Sequence, residues 1–109
     1  MMAQLFKDPD PRRRWNGYWI YFYAKEYIPP ENKPLDWIHL HFKGQTGEIE
    51  LYLKNGYPNY RIEKQWGKIA DEEKTSIRKF VRDNYQDIVA RIQKDLKSKG
   101  VEWDRTFKK

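Results

Sequence analysis

A cysteine-free chain of 109 residues has the size of one domain, able to bury a single modest core, and it excludes disulfides, a thiolate nucleophile and cysteine-ligated metal. No apolar run approaches the roughly 20 residues of a membrane span, and Met1 is not followed by a basic stretch and an apolar run, so a cytoplasmic chain with no membrane partner is expected. The net charge of +6 invites a nucleic-acid reading, but the excess is spread: +2 over residues 1–16, +1 over 17–69, +2 over 70–99 and +1 over the last ten. A dedicated nucleic-acid binder concentrates such charge on one element, whereas an even spread suits a solvated surface.

Residues 1–16 read as an arm. Asp8, Pro9, Asp10 and Pro11 resist regular structure, Arg12, Arg13 and Arg14 follow, and regular structure is expected from Gly17. Tyr-Trp-Ile-Tyr-Phe-Tyr at 18–23 consists of strong strand formers. Pro29, Pro30 and Pro34 make 24–36 a loop. Residues 37–43 alternate, with Ile38, Leu40 and Phe42 apolar and Trp37, His39, His41 and Lys43 amphipathic or polar. That period of two marks a strand with one buried face. Gly44-Gln45-Thr46-Gly47 is a turn signal, and 48–54 alternates again through Ile49, Leu51 and Leu53. Folding the hairpin about Gln45-Thr46 sets Phe42 against Ile49, Leu40 against Leu51 and Ile38 against Leu53. On the other face it sets Lys43 against Glu48, His41 against Glu50 and His39 against Tyr52. A one-residue slip destroys both matches at once.

Asn55 to Asn59 breaks the strand, and Tyr60 and Ile62 begin another short one. After Gly67, Ile77, Phe80, Val81, Asn84 or Tyr85, Ile88, Val89, Ile92 and Leu96 recur at helical spacing and predict an apolar stripe over 70–99. Asp71, Glu72 and Glu73 suit the start of a helix, Lys94, Lys97 and Lys99 its end, and Gly100 a stop. Asn84 leaves one helix or two open, and Trp103 and Phe107 are expected to dock the tail. The fold class is α+β: a single domain over 1–109, with an arm at 1–16, a small antiparallel sheet at 17–62, a helix or helix pair at 70–99 packed on one sheet face, and a tail at 100–109.

The second sheet face carries the candidate interaction surface: Trp19, Tyr21, Trp37, His39, His41, Glu50 and Tyr52, with Tyr23 beside them. No other segment is visibly apolar enough to bury it, and an exposed aromatic patch marks an interaction site unless the arm, the tail or a second subunit covers it. His39 and His41, the only histidines, lie two apart on one strand face. With Glu50 they can bind a divalent metal, or act as acid and base; the plainer reading is two surface histidines. Counting two histidines and Glu50, too few donors are visible, so no metal and no cofactor is expected and folding should not need one. Arg12, Arg13 and Arg14 beside Trp15, Tyr18 and Trp19 are candidate phosphate-binding residues, a mixture of cations and rings that suits single-stranded nucleic acid.

Tyr21-Phe22-Tyr23, Pro29-Pro30, Ile38-His39-Leu40-His41-Phe42 with Gly44, and Gly47-Glu48-Ile49-Glu50-Leu51 together resemble a family of small bacterial proteins, domain-of-unknown-function family 4160, over about residues 17–96. The resemblance implies an α+β fold and a bacterial, cytoplasmic protein in a toxin–antitoxin-like gene context, without an established activity. Two positions depart from the family pattern: Tyr27 stands where the family has a histidine before the proline pair, and Glu31 to Trp37 separate that pair from His39. Only His39 and His41 carry over.

The expected function is accordingly a protein-interaction module of a toxin–antitoxin-like pair, its partner another protein encoded nearby or a second copy. The alternative is an RNA-binding or metal-independent RNA-cleaving toxin that uses His39, His41 and the arginine arm. Catalysis is left open.

Overall fold

The computed structural model describes residues 4–104. Five strands form one antiparallel sheet in chain order: β1 (Arg14–Trp15), β2 (Tyr18–Tyr21), β3 (His39–Lys43), β4 (Gly47–Tyr52) and β5 (Arg61–Gly67). Two helices follow, α1 (Asp71–Asp83) and α2 (Tyr85–Ser98). The central hairpin has the register that matching both faces requires: His39 opposite Tyr52, Leu40 opposite Leu51, His41 opposite Glu50, Phe42 opposite Ile49 and Lys43 opposite Glu48. Gly67 closes the far side of this hairpin. It sits at φ +80°, opposite Gly47, and a Cβ there would lie 2.0 Å from the Thr46 carbonyl oxygen, so only glycine fits.

One face of the sheet supplies the core. Ile20, Phe22, Ile38, Leu40, Phe42, Ile49, Leu51 and Leu53 are buried together with the helix stripe Ile77, Phe80, Val81, Tyr85, Ile88, Val89, Ile92 and Leu96. Phe80 meets both Trp15, at 4.4 Å between ring centroids, and Phe42, at 6.4 Å. The helical region is two helices. Asn84 leaves helical geometry at φ −112°, ψ 16°, and its amide donates back to the Phe80 carbonyl. Gly100, at φ +81°, ends α2: its N–H bonds to the Lys97 carbonyl and that of Val101 to Leu96, the double bond pattern of a Schellman cap. Trp103 is buried, as the tail expectation requires, whereas Phe107 lies outside the described residues.

Regular structure begins earlier than Gly17. Pro11–Arg13 makes a 3₁₀ turn, β1 follows, and Asn16 and Gly17, at φ 51° and 81°, turn the chain into β2 as a two-residue hairpin loop. The arm is also anchored. Arg12 binds Asp10 at 2.7 Å, Asp87 at 2.7 Å and the Asn84 side-chain oxygen at 2.8 Å, and lies 4.3 Å over the Phe6 ring. β5 runs to Gly67 rather than stopping near Ile62. Its polar sequence suits an edge strand, where charge guards an unpaired row of backbone groups.

The Arg12 side-chain and backbone bonds hold the Asp10 carboxyl down from 3.8 to about 2. Its folded value lies below its unfolded one, so the stabilisation is complete above about pH 4 and is lost as pH falls through about 2. Asp10→Asn should therefore destabilise the chain at neutral pH, and the gap to wild type should close in acid. Thermal unfolding of both chains from neutral pH down to acid checks this. A gap independent of pH would contradict it.

Candidate metal centre

Because side chains alternate along β3, His39 and His41 share the sheet face opposite the helices. Around them stand Tyr21 opposite His41 on β2, Glu50 opposite His41 on β4 and Tyr52 opposite His39. This face is not left open. The 24–37 segment leaves β2 through a 3₁₀ turn at Ala24–Tyr27, whose Ala24 and Tyr27 pack into the core and whose Glu26 reaches the histidine face. Backbone bonds close the segment on itself, from Lys33 N–H to the Glu26 carbonyl at 2.9 Å and from Asn32 N–H to the Ile28 carbonyl at 3.1 Å. The Lys33 ammonium then bonds the Glu26 carboxylate at 2.8 Å. The result delivers Glu26 onto the two imidazoles.

The distances define a convergent donor set. Glu26 Oε1 lies 3.7 Å from His39 Nε2, and Glu26 Oε2 lies 3.7 Å from His41 Nε2. One donor atom from each of the three residues falls within 4.8 Å of the others. A tetrahedral ion with ligand bonds of about 2.0–2.1 Å has edges of about 3.3 Å, so shifts of under about 1 Å per side chain close the set.

The other ring nitrogens decide which atoms face the centre. His39 Nδ1 is 2.8 Å from the Trp37 carbonyl, which only accepts, so Nδ1 carries the proton and Nε2 presents its lone pair. The Tyr27 hydroxyl, also bonded to the Trp37 carbonyl, steadies the same ring. His41 Nδ1 faces carboxylates, Glu48 at 3.4 Å and Glu50 at 3.7 Å, while His41 Nε2 is buried with no hydrogen-bond partner. Both rings are thus held from behind by an acceptor, the arrangement that fixes the tautomer of metal-binding histidines.

Charge follows the same logic. Burial, and then the neighbouring His39, push the His41 imidazole down from its ordinary value, which favours the neutral ring. Burial pushes the Glu26 carboxyl up, but the Lys33 bond, together with the charge the two imidazoles carry when protonated, outweighs it, and the net direction is down. Glu50, beside the set at 3.8 Å from His39 Nε2, accepts a hydrogen bond from the Tyr52 hydroxyl at 2.8 Å. Burial and that bond push the Tyr52 hydroxyl well above its ordinary value, so it stays a donor.

The sequence-predicted residues divide into three groups. His39, His41, Glu50, Tyr52 and Tyr21 do come together, but His39, His41 and Tyr21 are buried, which corrects the reading of two surface histidines on an open aromatic face. Trp37 is 40% exposed and Trp19 half-buried, at the rim of the face. The arginine run does not act as one group. Arg12 is consumed by Asp10 and Asp87, whereas Arg13 and Arg14 lie 5.3 and 5.4 Å over the Trp19 ring. Glu26, Tyr27 and Lys33 were missed as site residues. The expectation of no metal counted His39, His41 and Glu50 as donors; the structure instead groups Glu26 with the two histidines.

No family model, no curated protein and no solved structure matches this chain. Among the described residues, no helix is long and apolar enough to cross a membrane.

Proposed function

We propose that this protein binds one divalent transition metal through His39 Nε2, His41 Nε2 and Glu26, and that the centre serves hydrolytic chemistry. The observation that carries the reading is the pair of imidazole lone pairs turned toward one carboxylate. Two lone pairs facing an anion at 3.7 Å repel it unless a cation lies between. Imidazole and carboxylate donors together suit zinc and its neighbours in the first transition row rather than calcium or magnesium.

His39, His41 and Glu26 would hold the ion, and a bound ion would supply a water acidified to about pKa 7. Glu50, 3.8 Å from His39 Nε2, would accept that water's proton as it adds to an electrophilic carbon or phosphorus, and would pass the proton to the departing group as its bond breaks. Lys33 and Tyr52 position Glu26 and Glu50 respectively.

Isothermal titration of metal-free protein with zinc chloride tests the reading. One zinc per chain is expected. Glu26→Gln should weaken binding by at least ~10-fold and the His39→Ala, His41→Ala double variant should abolish it, with far-UV circular dichroism showing each chain folded. No uptake by folded wild type, or unchanged affinity in Glu26→Gln, sinks the reading and leaves a proton as the shared cation.

The protein-interaction reading is supported by the large apolar side chains left exposed among the described residues, Trp37 and Trp66. The toxin–antitoxin-like setting rests on the family resemblance alone and is kept only as a proposal about gene context.

A further inference from the structure

The cations and rings at the rim of the metal face are not explained by metal binding. One cross-strand row runs Arg14, Trp19, Lys43, Glu48, Trp66 across all five strands. At about 4.8 Å per strand this row spans about 19 Å. A second cluster flanks the opposite end of the His39–His41 line. There Lys54 lies 5.2 Å and Arg61 5.7 Å from the Trp37 ring, and Arg61 lies 5.5 Å from Tyr52. Within the first row Lys43 sits 5.2 and 5.4 Å from the Tyr21 and Tyr23 rings.

Among the described residues, no carboxylate lies within ion-pair distance of Arg14, Lys43 or Lys54. Three acids of this face, Glu26, Glu48 and Glu50, are sunk around the imidazoles at 14–18% side-chain exposure. Glu63, opposite Glu50, is 39% exposed and pairs with Arg61. The three sunken carboxylates make a negative centre that one divalent ion and the Lys33 ammonium on Glu26 together balance, beside a rim of rings and cations.

We infer that the ligand of this centre is a single strand of nucleic acid laid across the sheet, its bases stacked on Trp19, Trp37 and Trp66 and its phosphates met by Arg14, Lys43 and Lys54. The inference rests on the metal reading above, because the bound ion, with the Lys33 ammonium, offsets the three carboxylates that would otherwise repel a phosphate. Indole faces stack on any base, and cations between them follow the backbone; a sheet carrying such rings is a known platform for unstacked strands. A duplex offers no free base faces to the indoles. A protein partner is disfavoured by the charge at the centre of the face, where protein interfaces are depleted of it.

Fluorescence anisotropy with labelled oligouridylate and oligothymidylate, read against a hairpin duplex, tests this on zinc-loaded protein. Both single strands should bind and the duplex more weakly. Trp37→Ala should weaken single-strand binding by about 5- to 150-fold, the range of one lost base stack. The slope of log affinity against log salt should fall by about 0.7 for Lys43→Ala. Zinc stoichiometry in both variants should stay at the wild-type value.

Zinc-loaded wild type that binds neither strand, or a Trp37→Ala chain that binds as wild type does, overturns the inference while the metal reading stands. Equal affinity for duplex and single strand also overturns it. Undiminished strand binding by the folded His39→Ala, His41→Ala double variant, which should hold no zinc, overturns the link to the metal and shows itself separately from a failed zinc titration.

Discussion

Zinc at about a thousand times its dissociation constant is expected to stabilise this fold by about 4 kcal/mol, because an ion that binds only the native chain shifts unfolding by mass action. For a chain of this size that corresponds to a rise in Tm of about 15–25 °C. The donor set supports a large effect rather than a token one. Its ligands come from β3 and from the 24–37 segment, so they meet only when the segment is folded onto the sheet. Unfolding separates them and releases the ion. The same geometry predicts that the metal-free chain still folds, since the core lies on the other side of the sheet and uses none of these donors. Differential scanning calorimetry with and without zinc measures the shift, and far-UV circular dichroism in EDTA checks the second point. A Tm unmoved by saturating zinc, or loss of helical signal in EDTA, goes against this account. Glu26→Gln should remove at least about a third of the rise, because a 10-fold weaker site at the same zinc concentration gives about 2.7 kcal/mol.

What the sequence discloses here depends on periodicity. The register of the central hairpin was legible, because alternation on both faces admits one register and every pairing from His39–Tyr52 to Lys43–Glu48 is found, whereas its bounds were not: Trp37 lies in a 3₁₀ turn and the strands run His39–Lys43 and Gly47–Tyr52. The helix stripe was legible for the same reason. β1 was not, since two residues carry no period, although the Asn16-Gly17 turn signal stands in the sequence. β5 was only half legible, because a polar edge strand has no buried face to impose alternation.

The site divides in the same way. His39 and His41 were found because a strand fixes their common face. Glu26 was not, because it sits in a loop whose path is set by tertiary contact: the Lys33 backbone and side-chain bonds that fold 26–33 over β3 have no signature along the chain. The burial of the histidines follows from that loop and was illegible with it. The Tyr27 hydroxyl reaches His39 Nδ1 at 3.2 Å, a contact set by the same loop and likewise without a signature along the chain.

Ile88→Ala and Arg91→Ala separate packing from tethering on α2. Ile88 is fully buried in the centre of the helix stripe. Its truncation should cost about 2–5 kcal/mol through lost burial and the cavity left behind. Arg91 belongs to the exposed side of the stripe by periodicity, and that reading puts its cost under about 0.5 kcal/mol, as for a surface change. The structure changes this expectation. Arg91 bonds Asp87 at 3.0 Å and the Leu5 carbonyl at 3.2 Å, approaches Asp10 at 3.6 Å, and lies 4.9 Å over the Phe6 ring. It ties residues 5–10 to α2 alongside Arg12. With its side chain 37% exposed, solvent screens the ion pairs, and the expected cost is about 1 kcal/mol, mostly from the carbonyl bond and the ring contact. Urea unfolding measures both: Ile88→Ala should shift the midpoint several times further than Arg91→Ala. In high salt Arg91→Ala should keep most of its cost, because a backbone bond and a ring contact are screened less than an exposed ion pair. Equal midpoints for the two variants would contradict the packing assignment, and a neutral Arg91→Ala would mean that residues 5–10 are held by Arg12 alone.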